Sequence, residues 1–278
     1  MTTPEAISLA QAHGIKPEHF RALAGLERFT DPAGQAYYLL PGGIGQAGAQ
    51  RLVLLAYLDG LGRLDATVPD GAVPDGAVPG GVVAGGVVPG GVVPSGVVAG
   101  DVVAGGVVAG DVVPGGVVPD AVADFERITL RQRANRWSYG LALRLVQRHG
   151  GALVTTPNGL LMGLGGGRLA RWAARQGGTT YGDVFLLHLG RPADAAAVLG
   201  GVIGSGRTAH LDGAGRVKTG RLALARLLAH EERHARQWAE LGRVRFALSY
   251  LWQEATGRHG RRNKWERAAG LADGGYQV

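Results

Sequence analysis

Cysteine is absent from this sequence of 278 residues. Disulfide bonds and thiolate metal sites are therefore excluded, and any metal site must use His, Asp and Glu, which suit zinc and other divalent ions. No uninterrupted apolar run reaches the roughly 18 residues that predict a membrane-spanning helix. The N-terminal residues also lack the basic start and long apolar run of a secretory signal peptide. We therefore expect cytoplasmic residence by default, with export by another route left open.

Acidic residues are outnumbered by basic ones, which gives a formal net charge of +7 and a pI of about 10.1. A basic surface favours anionic partners such as nucleic acid, acidic lipid or an acidic polymer. Two interpretations of a cluster of cations near the C-terminus stay open: an anionic partner bound near a functional site, or the solvated face of two helices. The cluster has thirteen members, Arg216, Lys218, Arg221, Arg226, Arg233, Arg236, Arg243, Arg245, Arg258, Arg261, Arg262, Lys264 and Arg267.

A five-residue repeat fills the sequence from Gly71 to Asp120, and most units combine two apolar residues with Gly or Asp and a Pro or Ala. Five matches neither the strand period of two nor the helix period of 3.6. Gly costs backbone entropy on ordering, and Pro removes a hydrogen-bond donor. We predict a disordered, flexible linker over residues 66–122 rather than a solenoid with one pentad per edge. Two interpretations of its role stay open. It is either an extensible spacer or a neutral expansion of a short tandem repeat that has no function.

The residues before the repeat, 1–65, predict a small helical region. Helices are expected at Pro4 to His13, Pro17 to Leu26 and Gln50 to Tyr57. The first two helices, joined at Gly14, suggest a helix-turn-helix. The second of them has Arg21 as its one strong cation before residue 27, which favours a helical packing module over a DNA-reading element.

The residues after the repeat, 123–278, predict an α+β domain. Asn158-Gly159 between two apolar runs is a strong hairpin signal, and Gly242 would fit a left-handed cap at the end of the last long helix. The predicted elements are a basic amphipathic helix at Asp124 to Gln147, hairpin strands at Ala152 to Thr156 and Leu160 to Leu164, a short helix at Arg168 to Arg175, a strand at Thr180 to Leu189, a helix at Ala193 to Ile203, and a helix at about Arg221 to Glu240.

The last of these helices carries the pentapeptide HEERH at residues 230–234. On a helical wheel of about 100° per residue, His230, Glu231 and His234 lie on the apolar side, and charged residues such as Arg236 and Glu240 lie on the opposite side. A buried carboxylate without a partner is costly. Histidines at i and i+4 can hold one divalent ion, and the glutamate between them can act as general base on a water molecule. The arrangement therefore predicts a metal site, against the alternatives of a surface charge or of a glutamate paired with an arginine.

A third ligand is needed, and Glu266 is the best candidate because it opens a second short helix 32 residues after His234. Asn263 followed by Glu266 also fits a capping box, in which Glu266 would only satisfy backbone donors. Asp273 is the alternative ligand, or else a residue that orients a histidine.

HEERH followed by Glu266 in ERAA resembles the gluzincin branch of the zincin metallopeptidases, which carry HExxH on one helix and a glutamate ligand on the next, often as ExxAD. The resemblance implies that His230, His234 and Glu266 bind one zinc ion and that Glu231 is the general base. Gly270 stands where the Asp of ExxAD would stand. In element order the resemblance covers about residues 124–278, but its specific residues lie only between 230 and 273.

The same resemblance implies a zincin-like domain with a backing helix, a small sheet with a hairpin, the HExxH helix and the glutamate helix. An edge strand of that sheet would pair with an extended peptide substrate, and the strand predicted at Thr180 to Leu189 would take that place. The run of His234, Arg236, Gln237 and Trp238 is also similar to uncharacterised bacterial HExxH-domain proteins, which indicate no substrate.

Other candidate residues have a structural interpretation as well as a functional one. The glycine-rich run at 163–167 could hold a phosphate, but it completes neither phosphate-binding motif, and we expect a turn. His188 is expected to be a packed histidine, and His210 and His259 are expected in polar loops. These two histidines, Tyr181 and Tyr276 remain candidates for stabilising an oxyanion.

Two hypotheses of different class follow. In the first, the protein is a zinc-dependent metallopeptidase that acts on a peptide or protein substrate. In the second, it is a non-catalytic module that binds a metal, or binds an anionic partner such as nucleic acid through its basic face.

Overall fold

The computed structural model describes residues 3–61, 120–165, 178–258 and 260–276. Contacts along the chain divide it into two units, one formed by residues 1–66 together with 118–278 and the other by residues 67–117. The second unit, most of the predicted linker and the helix predicted at 168–175 lie outside the described residues. The described part is a mixture of helices and small sheets, which confirms the predicted α+β class.

The N-terminal part of the first unit contains a β-hairpin that the sequence analysis missed. Its elements are α1 (Thr3–Ala12), α2 (Pro17–Ala24), β1 (Arg28–Thr30), β2 (Ala36–Tyr38) and α3 (Gln46–Gly60). The chain after β2 joins the C-terminal part, because Leu39 forms a bridge with Val154 and the Leu40 N–H donates to Leu153 O at 2.8 Å. The region predicted at 1–65 is therefore part of the same packing unit as the residues after 118, and it is not purely helical.

The helix predicted at Asp124 to Gln147 is two helices, α4 (Asp120–Ala134) and α5 (Arg136–Leu145). The break falls at Asn135, whose side chain donates to Asp183 Oδ1 at 2.9 Å and to Ala235 O at 2.8 Å. These long-range bonds fix a residue that the periodicity placed inside a continuous helix. The helix α4 also begins inside the predicted linker, since residues 120–122 are helical.

The central sheet has four strands, β3 (Ala152–Thr155), β4 (Leu161–Leu164), β5 (Gly178–Tyr181) and β6 (Val184–Leu187). Their order is β3-β4-β6-β5, with β4 and β6 parallel and the other pairs antiparallel. The predicted hairpin is confirmed as β3 (Ala152–Thr155) and β4 (Leu161–Leu164). The strand predicted at Thr180 to Leu189 is wrong as one strand, because it folds into β5 (Gly178–Tyr181) and β6 (Val184–Leu187). Gly182, at φ +58°, makes the turn, and β5 becomes an edge of the sheet.

The sheet is buried on both faces. One face packs on α6 (Ala195–Ser205) and on the helix that carries HEERH, through side chains such as Phe185, Leu199 and Leu228. The other face packs on α3 and α5 through side chains such as Val53 and Tyr139. This three-layer packing fixes the inner side of the motif helix against the sheet.

The motif helix, α7 (Leu224–Leu241), begins three residues later than predicted. The residues before it form β8 (Val217–Ala223), which pairs antiparallel with β7 (Arg207–Leu211). His210 therefore lies in a strand, exposed, rather than in a loop. The helix ends at Gly242, where φ is +75° but ψ is 158°, so the residue does not form the left-handed cap that was expected.

Three short elements follow the motif helix and complete the unit. They are α8 (Arg243–Ala255), a 3-10 turn (Gly260–Arg262) and α9 (Lys264–Ala269), which carries Glu266. None of the helices in the described ranges has the combined length and apolar character that crossing a membrane requires.

Candidate metal centre

The inner side of α7 carries the two motif histidines. His230 is 3 % exposed and His234 is 7 % exposed, and Trp238, one turn beyond His234, is buried as well. The two Nε2 atoms lie 3.1 Å apart, and the ring centroids lie 4.7 Å apart. The helical wheel predicted this side correctly, because spacing of three and four residues places side chains above one another on a helix.

The outer nitrogen of each ring is held by an acceptor. His230 Nδ1 lies 3.1 Å from Ala269 O and 3.0 Å from Gly270 O, and His234 Nδ1 lies 2.9 Å from Gln237 Oε1. Because these oxygens accept, we assign the ring proton to Nδ1 in both histidines. Both Nε2 lone pairs then point at the same place, which is the orientation that a metal ion requires.

Glu266 closes this group from α9. Its Oε2 lies 3.3 Å from His230 Nε2 and 3.5 Å from His234 Nε2, and its Oε1 accepts from Tyr250 Oη at 2.9 Å. The capping box is only half present, because Asn263 Oδ1 accepts from Trp265 N while the Asn263 N–H donates to Gly260 O. The carboxylate of Glu266 is therefore directed to the histidines and not to the helix end.

One atom from each of His230, His234 and Glu266 lies within 4.8 Å of the other two, and all three residues are buried. Although burial raises it, the contacts with His230 and His234 hold the pKa of Glu266 well below its ordinary value. Although burial lowers it, Glu266 and the charge of Glu231 raise the pKa of His234 above its ordinary value. Two lone pairs and a carboxylate in one buried place favour a bound cation, either a proton or a metal ion.

Asp273, the alternative ligand, is directed elsewhere. Its Oδ1 accepts from Arg226 Nε at 3.0 Å and its Oδ2 from Arg233 Nη2 at 2.9 Å. Asp273 also does not orient His230, because that ring is held by the backbone carbonyls of residues 269 and 270. Gly270, at φ +89°, occupies the position of Asp in the ExxAD pattern, and a side chain there would meet Arg233.

Glu231 lies beside the group without joining it. Its Oε2 accepts from Thr180 Oγ1 at 2.7 Å, and the residue is 7 % exposed. Burial raises the pKa of Glu231 above its ordinary value, against the lowering effect of the two neighbouring histidines. Thr180 belongs to the edge strand β5, and its carbonyl accepts from Trp238 Nε1 at 3.0 Å. Two contacts therefore fix the edge strand to the motif helix next to the carboxylate.

A buried ionic network lies behind the motif helix, and the sequence analysis missed it. Glu232 accepts from Arg131 at 2.7 Å and from Arg236 at 2.7 Å, and Arg131 also donates to Asp183 at 3.0 Å. Although burial raises it, these arginines and Arg127 lower the pKa of Glu232 below its ordinary value. The only local signal was the i,i+4 pair of Glu232 and Arg236. Such a pair also occurs on solvated helix faces, so it does not indicate burial.

The turn after α9 covers one side of His230. An added Cβ on Gly274 would lie 2.7 Å from Cε1 and 2.9 Å from Nε2 of the His230 ring. Glycine is therefore required here by close approach rather than by backbone conformation. The ring of Tyr276 lies further along the same turn, with its centroid 6.5 Å from that of His230.

The remaining candidates do not join the metal group in the described residues. Tyr181 packs near Trp238 at 6.3 Å between ring centroids, and His188 is half-buried after β6. His259 and the last two glycines of the run at 163–167 lie outside the described residues, while residues 163–164 belong to β4. Several cations of the basic cluster are in ion pairs, namely Arg216, Arg226, Arg233 and Arg236.

No protein-family model matches the sequence, and searches of curated proteins and of solved structures return no match either.

Proposed function

We propose that the protein is a zinc-dependent metallopeptidase with a zincin-like C-terminal domain. The observation that carries the proposal is the convergence of two histidine Nε2 atoms and the Glu266 carboxylate beside the buried carboxylate of Glu231. The order of α4, the central sheet, α7 and α9 agrees with the order that the HExxH resemblance implies. The three ligand side chains lie on α7 and α9, and all three are buried.

The donor set supports zinc as the ion. Two imidazole nitrogens and one carboxylate oxygen form the His₂Glu set of catalytic zinc sites, which keep a fourth position for water or substrate. Thiolate ligands are excluded because the sequence contains no cysteine. The acceptors on both Nδ1 atoms supply the outer contacts that orient and polarise zinc-binding histidines.

Glu231 supplies the proton transfer in this proposal. When bound, zinc would polarise a carbonyl group and make a water molecule more acidic. Glu231 would accept a proton from the attacking water molecule and return it to the leaving amine. Burial raises the pKa of Glu231 above its ordinary value, which makes this carboxylate a stronger acceptor of a proton. The Thr180 hydroxyl holds the carboxylate in one position while the proton is exchanged.

A peptide substrate is supported by the position of β5 at the edge of the central sheet. An extended peptide can add to such an edge through backbone hydrogen bonds. The strand reaches the catalytic carboxylate through Thr180, so that a chain bound along it would pass close to Glu231. One acceptor of this strand, Thr180 O, already accepts a hydrogen bond from Trp238 Nε1.

The first experiment is elemental analysis of the full chain purified beside His234→Ala, with His210→Ala as the matched control because His210 is exposed in β7. We expect stoichiometric zinc in the wild type and in the control, and its loss from His234→Ala. Absence of metal from the wild type after exposure to zinc would contradict the proposal.

The second experiment separates catalysis from metal binding. Glu231→Gln removes the base and keeps the shape, and Glu240→Gln changes an exposed glutamate on the same helix. Each variant is incubated with a mixed peptide library, and the products are identified by mass spectrometry. We expect Glu231→Gln to keep zinc and lose cleavage, and Glu240→Gln to keep both. Zinc binding without cleavage by the wild type would instead identify a non-catalytic metal-binding module.

A further inference from the structure

The helix α8 has two apolar faces, and within the described ranges other residues cover only one of them. Its inner face packs Phe246 against Trp238 and Trp265, with ring centroids 4.6 Å and 5.4 Å apart, and carries Tyr250 to the carboxylate of Glu266. Its outer face exposes an apolar stripe, which we define as Val244, Leu248, Leu251 and Trp252, exposed by 61 %, 63 %, 62 % and 59 %. Positions i, i+4, i+7 and i+8 lie on one side of a helix, so these side chains form a continuous surface.

The stripe lies in a strongly basic segment. Residues 243–264 contain six Lys or Arg and a single acidic residue, Glu254. Arg245 comes directly after Val244, the first residue of the stripe, and it is exposed. The Arg258 guanidinium lies 5.9 Å above the ring of Trp252. Bulky apolar side chains beside several cations indicate a partner that has an apolar region bordered by negatively charged groups.

The geometry and charge of the stripe select among three partners. A second copy of the chain would bring the same cations of both copies together, since a twofold interface repeats one patch, and like charges oppose such contact. A groove in another protein is less suited, because side chains exposed by about 60 % stand out from the surface rather than form a complementary pocket. A bilayer containing anionic lipid accepts protruding apolar side chains and attracts the arginines beside them.

We propose that α8 binds the surface of anionic lipid bilayers, with the apolar stripe inserted at the boundary between headgroups and acyl chains. The tryptophan suits this boundary, because its ring is largely apolar and its N–H remains polar. The inner face of α8 stays packed on the protein, so Tyr250 keeps its contact with Glu266 on the side away from the lipid. The proposal depends on neither zinc binding nor peptide cleavage.

The test is vesicle co-sedimentation of the full chain at low ionic strength. Vesicles of phosphatidylcholine alone are compared with vesicles of equal parts phosphatidylcholine and phosphatidylglycerol. We expect binding to the second kind, weakened by added salt because screening shortens the reach of the charges. Leu248→Ser with Leu251→Ser should weaken binding at least about tenfold. Arg245→Glu should weaken it about fivefold or more for the charge removed.

Matched controls separate the stripe from other surface residues. Leu130→Ser changes a leucine on α4 that is also exposed by 63 %, and Arg148→Glu changes an exposed arginine after α5. Both should bind like the wild type, and thermal unfolding followed by circular dichroism should show that all variants are folded. Failure of the folded wild type to bind anionic vesicles overturns the proposal. So does binding that the stripe variants leave unchanged, or a wild-type dimer in light scattering that the Leu248 and Leu251 changes dissociate.

Discussion

The amide of Gln237 holds the ring of His234, and its removal tests whether the group is arranged for a metal ion. Gln237 Oε1 lies 2.9 Å from His234 Nδ1, and Gln237 Nε2 donates to Trp265 O at 3.1 Å. The change Gln237→Ala leaves the His234 Nδ1–H without its acceptor in a site that is almost fully buried. A buried donor without a partner costs about 1–3 kcal/mol.

This cost falls unequally on the two states of the site. Without metal, the His234 ring can move its proton to Nε2, where Glu266 Oε2 lies 3.5 Å away and can accept it. With metal on Nε2, the proton must stay on Nδ1, so the metal-bound state bears the cost. We therefore expect Gln237→Ala to raise the Kd for zinc about 10- to 100-fold, as for other residues that orient metal ligands. This range corresponds to about 1.4–2.7 kcal/mol.

The assay is competition for zinc with a chelator that changes colour on binding. Gln132→Ala is the matched control, because Gln132 is also buried and donates to the backbone carbonyl of Gln50 at 3.3 Å, away from the site. The control should lower the free energy of unfolding by about 1 kcal/mol and leave the Kd unchanged. A wild-type Kd in Gln237→Ala, or the same rise in both variants, would refute the reasoning.

Three further changes test the surroundings of the site. Gly274→Ala should weaken zinc binding, because the added methyl group displaces the ring of His230. The control Gly213→Ala, which has open space around it, should leave zinc binding unchanged. Chelator competition measures the Kd of both variants. Arg131→Met should lower the free energy of unfolding in urea by about 3–5 kcal/mol, since it leaves the buried carboxylate of Asp183 without the arginine that pairs with it, while the exposed Arg133→Met should change it little. Because the folded-state pKa of Glu232 is lowered, its contribution to stability is present above its unfolded-state pKa and is lost as the pH falls through the folded one. As the pH is lowered below about 4.5, the free energy of unfolding of Glu232→Gln should therefore fall less than that of the wild type. Urea unfolding at several pH values measures both. An equal loss would contradict the assignment.

The group of His230, His234 and Glu266 could be predicted because its signal is local. Helical periodicity places the histidines on one side of α7, and the apolar residues around them indicate which side is buried. Glu266 was predicted from its place at the start of a second helix. The structure brings these three side chains together, and it distinguishes Glu266 from Asp273 through contacts with arginines that no local pattern contains.

The features that the sequence analysis missed depend on residues far apart in the chain. Asn135 interrupts a periodic helix because its side chain bonds residues 48 and 100 positions away. Arg131 and Glu232 are separated by 101 positions, so the burial of that glutamate has no sign in its neighbours. The helix α8 escaped prediction because apolar residues occur on both of its faces, which weakens the amphipathic pattern on which helix prediction depends.

The helices α3 and α4 border residues 62–119, the first ending at Gly60 and the second beginning at Asp120. Gln50 and Gln132 join them by reciprocal bonds between side-chain amide and backbone carbonyl, each at 3.3 Å. The position of α7 is then independent of how many pentads lie between these two points. For the flexible linker that the sequence predicts, each doubling of its length adds only about 0.6 kcal/mol of closure free energy. Gene variants that gain or lose pentads by replication slippage should therefore differ in chain length while keeping the same metal centre.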